Sequence, residues 1–157
     1  MLADISTRAR ALDDRLSGPL QNALLLVFRL YWGAQFVQTG LGKLGNLGRT
    51  TDFFTSLGIP FPAANAALVG TLETVGGLLL VLGLFSRLIA LPLTINMLVA
   101  YLTADRAALL AIFSDPAAFV QAAPFPFLVT SLLVLAYGPG SVSLDAWLSR
   151  RPASPRA

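Results

Sequence analysis

Four long apolar runs set the terms for any fold of this chain: Leu20–Leu41, Ala64–Phe85, Leu88–Thr103 and Phe119–Tyr137. Each is near the ~20 helical residues that cross ~30 Å of hydrocarbon. They cannot all be hidden inside a water-soluble globule of 157 residues, because 55% of the sequence is hydrophobic and only 12% is charged, too little to cover a water-facing surface. A mean hydropathy of +0.72 fits the same reading. Backbone polar groups in lipid must be satisfied within the segment, which favours helices. The expectation is therefore an all-α integral membrane protein, a bundle of four transmembrane helices. The third run is short, and Arg87 can snorkel from its start. The first run is no cleaved signal peptide, since it is too long, lacks a small-residue cleavage site and carries Arg29 at its centre.

Lysine and arginine positions set the expected orientation. Outside the runs, one face holds Arg8, Arg10, Arg15, Arg87, Arg150, Arg151 and Arg156, and the other holds Lys43, Arg49 and Arg106. The bias of seven against three places both termini in the cytoplasm. Residues 1–19 then form a cytoplasmic or interfacial segment, 20–148 the membrane domain and 149–157 a disordered tail. Ile5, Leu12 and Leu16 share one side of a possible helix over residues 3–17, which either lies on the membrane surface or is a solvated tail. The outer loop between the first two runs holds a short interfacial helix at Asp52–Leu57, with Phe53 and Phe54 as anchors.

The sequence GTLETVGGLLLVLGL, residues 70–84, contains the one glutamate of the chain, Glu73. At ~100° per residue, Ala66, Gly70, Gly77 and Leu80 share its face. Small residues there admit a neighbouring backbone, so Glu73 points into the bundle. In the first run Arg29 shares a face with Asn22, Gly33, Phe36 and Gly40. Either charge alone at a helix centre costs roughly 2.5–3.5 kcal/mol, so the two are expected to pair. Asn96, Thr130 and Ser131 lie at similar depth in the other runs, which suggests one polar layer across four helices. That cluster is either an ion pair that fixes which helix faces which, or a site for a polar headgroup or a proton. Arg29, Glu73 and Asn96 are the candidate residues. Tyr31 and Trp32 read as packing residues.

There is no cysteine and no histidine. Thiol redox chemistry, iron–sulfur or zinc sites of the usual kind, and the usual haem ligand and general base are thereby excluded. The runs supply a single carboxylate, too few oxygens for a hard metal, so no metal site and no intrinsic cofactor are expected. The charge pattern is a topology signal rather than a footprint for nucleic acid.

Several motifs occur in a recognisable order. RLYWGAQFVQTGLGKL contains Arg29, Gly33, Phe36, Gly40, Lys43 and Leu44; FFTSLGIP follows; LVGTLETVGGLLLVLGLFSRLIAL contains Glu73, Gly76, Gly77, Gly83, Leu84 and Arg87; then come NMLVAYLT and YGPGSVSLDAWL. Over Leu24–Leu148 this order resembles the DoxX family of small bacterial four-helix membrane proteins. The resemblance implies a multi-pass protein of the bacterial inner membrane. Founding members are membrane subunits associated with thiosulfate:quinone oxidoreduction, and others are linked to membrane redox complexes or oxidative-stress assemblies. Where many members carry histidine before the first-helix glycine and after the third helix, this chain has Thr39 and Asp105.

The resemblance implies a supporting or quinone-facing subunit of a membrane oxidoreductase complex, with the lipid membrane and a redox-enzyme subunit as partners. It is not expected to be catalytic alone, and a quinone is the one cofactor to consider. The alternatives are a non-redox scaffold or chaperone-like factor, and a small proton-coupled transporter. The topology is testable first. A cysteine placed at Ser154 should label only from the cytoplasm and one at Thr51 only from outside; labelling of both from one side would refute the four-span count.

Overall fold

The computed structural model describes residues 2–150, with side chains from residue 17 onward. Among these residues every regular element is a helix: α1 (Leu2–Gly45), α2 (Leu47–Ser56), α3 (Pro62–Leu82), α4 (Ser86–Thr103), α5 (Arg106–Leu110), α6 (Pro116–Gln121), α7 (Pro124–Tyr137) and α8 (Leu144–Ser149). Contacts link α1 to α3, α3 to α4, α4 to α7 and α7 back to α1, so four helices close a ring. One end of the ring carries the α3–α4 turn and the segment after α7. The other carries α2 and the α5–α6 connection.

Two helices, α3 and α4, are long and apolar enough to cross a membrane by length and composition alone. Their outward faces present Leu68, Val75, Leu78, Leu88, Leu91 and Ile95 to the surroundings. Inside, Phe36, Leu80, Ala90, Leu93, Met97, Tyr101, Leu128 and Val134 make the core.

The N-terminal segment and the first run are continuous: α1 passes through Pro19 as one 44-residue helix. The side chains of Ile5, Leu12 and Leu16, like residues 151–157 of the tail, lie outside the described residues. The elements depart from the sequence expectations at two places. The fourth run does not start at Phe119. Ala122 is extended, with ψ 141°, and separates α6 from α7, which has 14 residues. Pro124 and Pro126 lack an N–H and cost least in the first turn of a helix, where that donor has no intrahelical partner, so α7 begins there. Finally, the short helix after α1 is longer than expected, and of its two aromatics only Phe54 is buried while Phe53 stays exposed.

Glycines bring α1 and α3 together. A Cβ built on Gly77 would lie 2.6 Å from the carbonyl oxygen of Gly33, and one on Gly40 would lie 2.7 Å from that of Gly70. Both are closer than any carbon can sit, so these two helices touch backbone to backbone. The α3 end is also built by glycine. Gly83 takes φ +67°, its N–H bonds to Leu80 O, and the Leu84 N–H bonds to Leu79 O, the pairing of a Schellman cap.

Substitution of two nearby glycines separates packing from propensity. Gly40→Ala should lower stability in detergent by about 1–3 kcal/mol, the usual cost of overpacking. Gly42→Ala, whose Cβ meets nothing within 4 Å, should be neutral or stabilising, since alanine is the better helix former. Equal melting temperatures for the two variants would mean that the helices do not meet at Gly40.

Candidate functional site

The α3 face expected from the sequence is the buried one: Ala66, Gly70, Glu73, Gly76, Gly77 and Leu80 all point inward. Glu73 is 3% exposed. Its partners, however, are Lys43 and Asn96. Lys43 Nζ lies 2.5 Å from Glu73 Oε2, and Asn96 Nδ2 donates to Oε1 at 3.0 Å. Both carboxylate oxygens thus hold a donor, one from α1 and one from α4.

Arg29 is also buried, at 1% exposure, but the expected Arg29–Glu73 pair is not formed. Arg29 donates instead to four backbone carbonyls: Nε to Leu80 at 2.8 Å, Nη2 to Val81 at 3.2 Å, and Nη1 to Pro139 and to Val142 at 3.1 Å. The register explains this. Gly33 packs on Gly77 and Val81, and Gly40 on Gly70 and Thr74, so in this antiparallel pair Arg29 stands opposite the end of α3. Glu73 stands about ten residues further along α1, roughly 15 Å away at 1.5 Å per residue. The expected polar layer across four helices is likewise absent. Thr130 and Ser131 bond to Pro126 O and Leu128 O within their own helix.

The motif after α7 is explained by Arg29 and Asp145 together. Arg29 holds the carbonyls of Pro139 and Val142, and the Ser141 N–H bonds to Asn22 Oδ1 at 2.7 Å. Asp145 accepts from the N–H groups of Phe85 and Ser86 at 2.9 and 3.0 Å, and its own N–H reaches Gly83 O. A cation therefore sits at the C-terminus of α3 and an anion at the N-terminus of α4, as the helix dipoles favour.

A cavity of about 600 Å³ opens beside Glu73. Phe36, Phe54, Val69, Met97 and Phe127 give it apolar walls, and Lys43, Glu73 and Asn96 form its polar patch; Arg29 does not line it. The Lys43 side chain is 29% exposed and the Glu73 side chain 4%, so the lysine is the more accessible member of the pair. Thr39 and Asp105, the two departures from the family's histidine pattern, both border this cavity. Trp32 touches Phe127 edge to face with centroids 5.2 Å apart, which puts a fluorophore one ring from it.

Of the sequence candidates, the structure brings Glu73 and Asn96 together and leaves Arg29 elsewhere. By hydropathy Lys43 is a flanking charge, outside the first run. The overlooked signal is periodic: Lys43 falls three residues after Gly40 and seven after Phe36, on the face that meets α3, and a lysine stem is long enough to reach along it.

The model of the DoxX family matches residues 24–106. A protein of Mycobacterium tuberculosis described as an uncharacterized membrane protein is 32% identical over 141 residues, which cover 81% of this chain and 82% of its own length. No solved structure gives a significant match.

The pairing is checked by two double-mutant cycles read from unfolding in detergent. Lys43→Met and Glu73→Gln should couple by about 1 kcal/mol or more, as residues in contact do. Arg29→Leu and Glu73→Gln should add to within about 0.5 kcal/mol. Coupling of the second pair without the first would reverse the assignment.

Proposed function

Since the chain belongs to the DoxX family of membrane proteins, we propose that it is a multi-pass subunit that holds an amphipathic molecule, a quinone in the first instance, for a membrane oxidoreductase. The observation that carries this reading is the cavity beside Glu73: a space of about 600 Å³ with apolar walls and a polar patch built on the buried, doubly bonded Glu73. Ligand sites of this kind bury an apolar body and orient it by a few polar groups. Glu73 fixes Lys43 and Asn96 on its two oxygens. An ammonium has three donors and an amide nitrogen two, which leaves N–H groups on both residues for the carbonyl oxygens of a quinone head. The aromatic walls suit its ring. A quinone would supply two-electron redox chemistry. The chain's own residues bind and orient it, and electrons come from a partner subunit, because the sequence has neither histidine nor cysteine to carry them.

In this reading α1, α3, α4 and α7 all cross the bilayer in the bacterial inner membrane, with both termini in the cytoplasm. With 14 residues, α7 is about 21 Å long and shorter than the hydrocarbon, a mismatch that local bilayer thinning can absorb. The cavity then lies in the outer half of the membrane.

A second reading, a small proton-coupled transporter, draws on one specific observation: a buried carboxylate at the head of an open cavity is a place where a proton could be exchanged. The two readings separate in one experiment. Purified protein is titrated with a short-chain quinone while Trp32 fluorescence is followed, and lipids retained from the native membrane are extracted and identified. The expected result is quenching with a retained quinone, and binding at least tenfold weaker in Lys43→Met and Glu73→Gln. No quenching and no retained quinone would sink the quinone reading. Glu73-dependent proton flux in liposomes would then favour transport, and its absence a scaffold.

A further inference from the structure

A second cleft, of about 520 Å³, lies at the opposite end of the bundle, where the segment after α7 meets the start of α4. Its residues take no part in the cavity beside Glu73. We propose that this cleft is a binding site for the phosphate of an anionic membrane phospholipid, with Arg87 as the group that holds it.

Three observations carry the assignment. Arg87 borders the cleft and is exposed. Among the described residues its guanidinium makes one hydrogen bond, from Nη2 to Ala136 O at 3.3 Å. An arginine fork has five N–H donors arranged to match a phosphate, so most of this one is uncommitted. Next, the Ser86 hydroxyl borders the same cleft and is fully buried. Among the described residues it is the one buried side-chain polar atom with no partner, which is costly unless something fills that role. The third observation selects a lipid over a free anion. Phe85, Leu88 and Tyr137 line the cleft and are 61%, 73% and 59% exposed, an apolar margin against which acyl chains can lie.

The N-terminus of α4 is not itself the site, since Asp145 already occupies it through Phe85 and Ser86. The same bonds hold the Asp145 carboxylate against the helix dipole, so its charge is matched locally.

The test uses the whole protein, delipidated in detergent and given phosphatidylglycerol, phosphatidylcholine or inorganic phosphate, with melting temperature and native mass spectrometry as readouts. Phosphatidylglycerol should raise the wild-type melting temperature and remain bound. Phosphatidylcholine should do so more weakly, and inorganic phosphate should have no effect. Arg87→Gln should bind phosphatidylglycerol at least tenfold more weakly, while Arg150→Gln, outside the cleft, should behave as wild type. Should Arg87→Gln not fold, Ser149→Glu decides, because it puts a negative charge in the cleft and leaves the Ala136 bond intact. Unchanged binding in a folded Arg87→Gln or in Ser149→Glu would overturn the proposal, as would a wild type indifferent to phosphatidylglycerol. Equal stabilisation by inorganic phosphate would show a free-anion site instead of a lipid site.

Discussion

Gly33 and Gly40 of α1 lie against Gly77 and Gly70 of α3 with no side chain between the backbones. In lipid, helices gain little by hiding apolar surface from one another, so close van der Waals packing carries much of their association. Seven-residue glycine spacing on both helices permits that approach in one register. The placement of Arg29 and Lys43 follows from this register, because it decides which part of α3 each charge of α1 can reach. Arg29 comes to the last carbonyls of α3, and Lys43 comes to Glu73.

The two charges then solve the cost of burial differently. Glu73 is met by a countercharge and an amide, one bond to each oxygen. Arg29 is met by neutral acceptors: two carbonyls at the end of α3 and two from the segment after α7. Helix ends leave carbonyls without intrahelical partners, and a guanidinium is the side chain with enough donors to satisfy several at once. Gly83 is required at this spot twice over. Its left-handed φ ends α3, and a Cβ there would lie 2.5 Å from the Ser143 Cβ and 2.8 Å from the Arg29 Cζ. Asp145 then completes the turn from the other side at the start of α4.

Faces were legible in the sequence and heights were not. Helical periodicity correctly put Ala66, Gly70, Glu73, Gly77 and Leu80 inside, and Arg29 with Gly33, Phe36 and Gly40. The motif order also pointed to the right family. What failed was the inference that two charges at the middles of two apolar runs must be level. Hydropathy locates the edges of a run only loosely, and α1 extends beyond Leu41 to Gly45, which brings Lys43 inside the helix pair. Periodicity fixes an angle around the axis and says nothing of axial offset. That offset came from the spacing of small residues, which was visible but read only as permission for close approach. The break at Ala122 was missed for a related reason: apolar composition runs through Phe119–Tyr137 without pause, and only the two prolines mark where the helix begins again.

This division of the charges bears on which groups are available for chemistry. A guanidinium whose fork is filled by backbone carbonyls is committed to holding the chain together, and removing it would leave a helix end and a loop unsatisfied at once. A lysine on a flexible stem is different. It holds Glu73 through one contact while its side chain remains part-exposed to a cavity, so it can meet a ligand atom without releasing the carboxylate. Glu73 gains its fixed position from being doubly bonded, and passes that rigidity to Lys43 and Asn96 as a positioning residue. The bundle thus separates its tasks along the helix axes. The end holding the α3–α4 turn spends its polar groups on closing the fold, apart from Arg87 and the Ser86 hydroxyl, and the other half keeps donors free facing an apolar space. A ligand head at Lys43 would therefore be recognised without disturbing the contacts at Arg29, which lie about 15 Å away along the same helix.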